Sequence, residues 1–282
     1  MILIIILIMI IVINASNVSN VSNNTFKIGE AWQYQLSGNI KTYKNINIPI
    51  WDVDIDSLED YEVTRLLSSG KKLICYINVG SLENDRGDHF LFPKNTIGNI
   101  YPGWSDERFV DIRNNKVRRI MVKRIKESYK RGCSAIEPDN IDSYTYNTGF
   151  KLTQKDEIEY IKFLSYKVHS LNMSFALKNN GDILPKIIDL FDFAIVESCV
   201  NYNECNLFTS FIKRNKPVFA VEYTTPGEEG GCDYHSTQKQ LNDACKILNK
   251  LKFEGIIKTC DLDSEWRACQ KYDKNGIRNT TI

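Results

Sequence analysis

The feature that most constrains this chain is a recurrence. Short runs rich in β-branched and aromatic residues alternate with helical segments, and half of the runs end in an acid or an amide. Runs over 32–36, 48–56, 72–80, 134–137, 174–180, 193–197, 217–223 and 255–259 read as strands. Segments over 58–69, 117–131, 156–170, 183–191, 207–214 and 237–252 read as helices, the first two closed by Gly70 and Gly132. Thr153 followed by Asp156 fits the start of the third. Parallel strands need a crossover between them, so this alternation predicts a mostly parallel sheet. About eight strands match a closed (β/α)8 TIM-like barrel. A doubly wound open sheet is the alternative. No Gly-rich phosphate loop follows any strand, which argues against nucleotide binding.

The densest of these strand ends is Ser134-Ala135-Ile136-Glu137-Pro138-Asp139-Asn140-Ile141-Asp142. Pro138 cannot donate to a central ladder, so the chain leaves the sheet here, and it leaves carrying acids. Asp54, Asp56, Glu83, Glu137, Asp139, Asp142, Glu197 and Glu222 all fall at or just past expected strand ends. In a barrel those ends converge on one face. Clustered carboxylates repel, and the repulsion raises some of their pKa values. A protonated carboxyl beside an ionised one is the chemistry of glycoside hydrolysis. Solvated loop acids and a carboxylate-built calcium site are the competing readings. Tyr76, Trp51, Tyr144, Tyr202 and Tyr223 lie near the same ends, where aromatics suit the apolar faces of sugar rings. Core packing is the plainer account of each one singly.

Of 282 residues 43% are hydrophobic and 25% charged, enough for one large domain with a sizeable core. A net charge of +1 gives no nucleic-acid footprint. Met1 to Ile13 is almost wholly aliphatic and is followed by Asn14-Ala15-Ser16, so residues 1–16 read as a secretory signal. No Lys or Arg precedes the apolar run, and an uncleaved anchor is the rival reading. Residues 17–29 form a low-complexity Asn/Ser leader, 30–270 the barrel and 271–282 a tail. Asn-x-Ser/Thr triplets begin at Asn17, Asn20, Asn23, Asn172 and Asn279. Eight cysteines fit an oxidising compartment. Cys199 with Cys205, and Cys260 with Cys269, are plausible local bridges, while Cys75, inside a strand, reads as a buried thiol. With three histidines and no Cys-x-x-Cys, a zinc site is not expected.

Several blocks resemble a known family, the endo-α-1,4-polygalactosaminidases of glycoside hydrolase family 114. They are Trp32-Gln33-Tyr34-Gln35-Leu36; Ile74-Cys75-Tyr76-Ile77 with Gly80-Ser81-Leu82-Glu83; and Gly132-Cys133 with Glu137-Pro138-Asp139-Asn140-Ile141-Asp142. Leu177-Lys178-Asn179, Glu197-Ser198-Cys199 with Tyr202-Asn203-Glu204-Cys205, and Lys216-Pro217-Val218-Phe219 with Glu222-Tyr223 complete the match, from about Trp32 to about Thr259. Asn78-Val79 and Arg86-Gly87 depart from the family pattern. The resemblance implies a TIM-like barrel and secreted, endo-acting, retaining cleavage of α-1,4-linked galactosamine or N-acetylgalactosamine polymers. It implies Asp139 as nucleophile and Glu197 as acid/base. Asp54, Tyr76, Glu83, Glu137, Asn140, Asp142, Lys178, Asn179, Glu222 and Tyr223 are expected around the substrate. A carbohydrate-binding protein without catalysis, and a hydrolase of another glycan, are the alternatives. No cofactor, metal, nucleic acid or lasting membrane insertion is expected, and the chain is expected to be a monomer. Glu197 is expected to carry the raised pKa and Asp139 to stay ionised, helped by Asn140 or Lys178.

Overall fold

The computed structural model of the chain describes residues 26–226 and 231–279. The expected signal segment, most of the Asn/Ser leader and the triplets at Asn17, Asn20 and Asn23 lie outside the described residues. Eight parallel strands run in sequence order. They are β1 (Trp32–Gln35), β2 (Ile50–Val53), β3 (Lys72–Asn78), β7 (Ala135–Asp139), β8 (Ser174–Lys178), β9 (Phe193–Glu197), β10 (Val218–Tyr223) and β11 (Glu254–Lys258). Each pairs with the next, as crossover connections require. The expected barrel is what forms.

Residues paired in register share a face of the sheet. Tyr34, Asp52, Ile74 and Ala135 make one such row, and Tyr76 with Glu137 and Asn78 with Asp139 make the next two. This face is the barrel interior. Its floor is aromatic. The Phe26 ring lies 4.6 Å from Phe193 and 6.4 Å from Phe219, and Trp32 lies 5.3 Å from Phe219. Burying each such ring stabilises the fold by roughly 1.5–3 kcal/mol. Glu254, in register with Phe219, is the buried acid at this level, its carboxylate accepting from Gly29 N and Tyr272 OH.

The opposite face carries the helices: α1 (Asp60–Ser68), α2 (Asn115–Lys130), α3 (Gln154–His169), α4 (Leu184–Ile187), α5 (Thr209–Lys213) and α6 (Gln238–Leu251). Thr153 and Asp156 form the reciprocal cap expected for α3. The segments over 183–191 and 207–214 are not the single helices expected; each is an α-turn joined to 3-10 turns. Trp51 packs in this outer layer, its Nε1 donating to Ile48 O at 3.0 Å, so it forms no sugar platform.

The long connection after β3 is ordered. It holds an antiparallel sheet of β4 (Ser81–Glu83), β5 (Ile97–Tyr101) and β6 (Trp104–Val110), in the order β4-β6-β5. The seam between first and last barrel strands has no main-chain ladder among the described residues. A short antiparallel strand, β12 (Arg267–Ala268), lies on the edge of β11. Trp32 Nε1 donates to Glu254 O at 2.7 Å, and Trp266 Nε1 donates to Trp32 O at 2.7 Å. Residues 276–278 bond back to 29–31, so this part of the C-terminal stretch packs on the barrel.

All eight cysteines are bridged, as Cys75–Cys133, Cys199–Cys205, Cys232–Cys260 and Cys245–Cys269. The expected Cys199–Cys205 bridge is present. The Cys260–Cys269 pairing and the free Cys75 thiol are corrected. Tyr76 points into the barrel, so its neighbour Cys75 points outward, where it meets Cys133 at the approach to β7. Cys245 on α6 faces Cys269 beyond β11, which leaves Cys260 to the loop residue Cys232.

Candidate active site

The strand ends bring Asp139 and Glu197 together around Lys178. Lys178 Nζ lies 3.5 Å from Asp139 Oδ1, 3.2 Å from Glu197 Oε2 and 2.7 Å from Glu137 Oε1, and it donates to Tyr34 OH at 2.8 Å. Lys178 and Glu137 are buried, at 3% and 0% side-chain exposure. Asp139 and Glu197 keep 22% and 26%, so they are the members of the cluster that a substrate can reach. The distances to Lys178 cap the separation of those two acid oxygens at about 6.7 Å, the 3.5 and 3.2 Å legs laid end to end.

Each reachable acid is held on several sides. Tyr76 OH donates to Asp139 Oδ2 at 3.1 Å. Asn179 Nδ2 donates to Glu197 Oε2 at 3.1 Å, while Glu197 N donates to Asn179 Oδ1 at 2.9 Å. Tyr223 OH donates to Glu197 Oε1. Asn179 adopts φ +47, a left-handed turn that asparagine tolerates, immediately after β8. Gly80, two residues beyond β3, answers a different need: a Cβ there would sit 1.8 Å from Asn140 O.

Burial alone would raise the pKa of Glu197. Lys178, Tyr223 and Asn179 outweigh it and hold the group below its ordinary value. The expected raised pKa of Glu197 is therefore corrected, because the lysine that steadies Asp139 bonds Glu197 as well. Burial disfavours the charge on Lys178, yet Asp139, Glu137 and Glu197 together raise its pKa well above the ordinary value. Asn140 is not the donor to Asp139 that was expected. At φ +59 it turns its amide to Asn78 Oδ1, at 3.2 Å, and Glu107 Oε2, at 3.4 Å. Asp142 stays near the cluster, and burial with the charge of Asp139 pushes it to about 6.

Three other expected residues face elsewhere. Asp54 and Glu83 are both bound by Arg86, whose guanidinium reaches Asp54 Oδ2 at 2.8 Å and Glu83 Oε1 at 2.8 Å. They line a neighbouring cleft of about 460 Å³ that includes Tyr76, Asn78, Arg86 and Arg124. Glu222 is next to inward-facing Tyr223 and so points out of the barrel. It accepts from Val200 N at 2.8 Å and lies 2.6 Å from His235 Nε2, fixing the loop closed by Cys199–Cys205.

The strand-end rule missed Tyr34, Asp52, Arg86 and Glu107. Tyr34 and Asp52 lie deeper in the barrel, and the pairing parity that faces them inward was readable only once the register was known. Glu107 comes from the inserted sheet. It accepts from Asn78 Nδ2 at 2.8 Å and from Ser81 Oγ, and burial leads the causes that push it to about 7. Among the described residues the one His/Cys/Asp/Glu group close enough to ligate a metal is Cys199, Cys205 and Glu222, and its sulfurs are tied in a disulfide.

The family model described as glycoside-hydrolase family GH114 matches residues 14–274. A crystal structure of Aspergillus fumigatus Ega3 in complex with galactosamine is 33% identical, with TM-score 0.79, covering 87% of this chain and 97% of that one. The glycoside hydrolase domain of PelA from Pseudomonas aeruginosa shares the fold, with TM-score 0.60 at 14% identity, over 86% of this chain and 98% of that one. No match was found among curated proteins.

Proposed function

This chain belongs to glycoside-hydrolase family GH114, and from that premise we propose that it is a secreted, endo-acting hydrolase of α-1,4-linked galactosamine or N-acetylgalactosamine polymers. The enzyme class follows from the family; the polymer, the mode of attack and the mechanism are the proposal. The observation that carries it is one lysine shared by two reachable carboxylates at the barrel mouth.

Asp139 attacks the anomeric carbon as Glu197, in the protonated form that Lys178 disfavours, gives its proton to the departing glycosidic oxygen. The bond to the leaving sugar breaks, and a glycosyl ester on Asp139 forms. Glu197, now ionised, takes a proton from water, and that water's oxygen displaces Asp139 from the same carbon. Two inversions retain the configuration. Retaining pairs stand about 5–5.5 Å apart and inverting pairs about 6.5–9.5 Å. The cap of about 6.7 Å leaves only the bottom of the inverting range. Esterification removes the charge of Asp139 and frees Lys178 to favour ionised Glu197, which suits the base role in the second half. The galactosamine in the Ega3 structure supports an amino sugar as substrate. Secretion is supported by eight bridged cysteines.

Asp139→Asn and Glu197→Gln should each lose on the order of 10²–10⁴-fold in turnover of a defined galactosamine oligomer while polymer binding persists. Product anomers followed by NMR decide retention, and trapping with a slow fluorinated glycoside followed by peptide mapping identifies the nucleophile. Label on Glu197 would exchange the two roles, and near-normal cleavage by either variant would refute the pair.

A further inference from the structure

Asp52 sits on β2 at 0% exposure, in register with Tyr34 and Ile74 on the interior face. Neither of its carboxyl oxygens has a hydrogen-bond donor, and neither does Glu137 Oε2. The register sets Asp52 and Glu137 on the same interior face, two strands apart and in adjacent layers. The charged and titratable groups facing Asp52 are Glu137, Lys178, Glu197 and Tyr34. Of the cation and hydroxyl donors here, Lys178 and Tyr34 are spent on Glu137 Oε1, at 2.7 and 2.9 Å.

Two buried carboxylates in adjacent layers cannot both ionise, because an unpaired buried charge costs several kcal/mol and its neighbour's charge adds to that. Glu137 has the lysine and the tyrosine, and Asp52 has nothing, so the shared proton belongs on Asp52. We propose that Asp52 is a neutral carboxylic acid whose hydroxyl donates to Glu137 Oε2, making it a positioning residue that keeps Glu137 ionised and aimed at Lys178. One proton thereby satisfies two of the three orphan oxygens. It also leaves Lys178 anchored from below, with its upper side open to Asp139 and Glu197. Burial first, and Glu137 second, raise the pKa of Asp52 well above the ordinary value, in keeping with this geometry.

The protonation half of the proposal stands on burial, register and the orphaned oxygens, and the positioning half rests on the hydrolase reading. They are tested separately. The infrared spectrum of the intact protein at neutral pH should show a buried carboxylic-acid carbonyl band that disappears in Asp52→Asn. Urea unfolding should show the wild type losing stability relative to Asp52→Asn as pH rises above the ordinary aspartate range. The reason is that the unfolded chain releases the proton first. Absence of both signals overturns the proposal, whatever the enzyme hydrolyses.

For positioning, Asp52→Asn supplies an amide donor to Glu137 and should keep kcat near wild type. Asp52→Leu removes the donor and should lower kcat on the order of a hundredfold with little change in KM, as a misplaced catalytic group does. Equal kcat in both variants overturns the positioning role. Inactivity of the wild type on every amino-sugar polymer overturns the function reading instead, and the infrared and stability signals still decide the state of Asp52.

Discussion

Lys178 carries more of this site than any other residue. Its buried partner, Glu137, would be left as an unpaired charge in Lys178→Met, a change that costs roughly 3–5 kcal/mol in buried pairs. Lys178→Met combined with Glu137→Gln removes both charges and should recover much of the stability, read by urea unfolding, without recovering turnover. Recovered turnover would show the lysine to be a brace. In the same double variant the pKa of Glu197 should rise, because a cation that lowers it is gone. Any residual activity should therefore persist to higher pH than in wild type. Glu107 offers a second pH handle. Its pKa moves from 4.5 to about 7 on folding, so the proton is bound more tightly in the native state. Stability tied to it is full below the unfolded value and is lost as pH rises towards 7. Thermal midpoints of wild type and Glu107→Gln between pH 4 and 8 should converge or separate along that slope; parallel curves would contradict it.

Among the elements, β3 and β7 matter most, since they carry Tyr76 and Asp139 and lie side by side. The Cys75–Cys133 bridge ties one strand to the approach of the other and closes 58 residues of chain. A loop of that length corresponds to roughly 4 kcal/mol in the chain-entropy model. Replacing both cysteines with alanine should shift the denaturant midpoint accordingly, with activity per folded molecule largely kept, because the bridge lies on the outer face. The inserted sheet brings Glu107, Tyr101 and Trp104 to the mouth. The Tyr101 and Tyr146 rings stand 5.4 Å apart beside Asp139 and Asp142, a placement suited to a sugar face. The 84–110 connection carries Phe90, Phe92, Tyr101 and Trp104, aromatics that argue against disorder, but the antiparallel pairing within it is not legible in the sequence. Its strands Ile97–Tyr101 and Trp104–Val110 are short, and their register shifts twice.

At the scale of the whole molecule, the chain is a barrel with aromatic rings packed at its floor and carboxylates at its mouth. The polymer proposed above is cationic where its amines are free, and carboxylates in a walled cleft would attract it. No helix among the described residues is long and apolar enough to cross a membrane. Thiol titration of the denatured, unreduced protein should find no free cysteine; finding eight would refute the oxidised state on which the secretion reading depends. Asn172 is exposed in a turn at φ +58. Expression through a secretory pathway should place a glycan there, visible as a mass loss on deglycosylation that Asn172→Gln abolishes.

The sequence by itself determined the parallel barrel and the mouth at its strand ends, because periodicity and strand-helix alternation are local signals that survive without coordinates. Strand-end position made eight acids candidates, and the resemblance to family 114 singled out Asp139 and Glu197 among them. Only the tertiary structure decided which acids meet. Asp52 and Glu137 share the barrel interior in adjacent layers although a whole strand, β3, lies between theirs. Glu222 turns away although it neighbours Tyr223, since successive strand residues alternate faces. Asp54 and Glu83 are claimed by Arg86, and the pKa of Glu197 is lowered by a lysine that three carboxylates share. Charge state depends on burial and on partners brought from distant parts of the chain, and neither can be read along it.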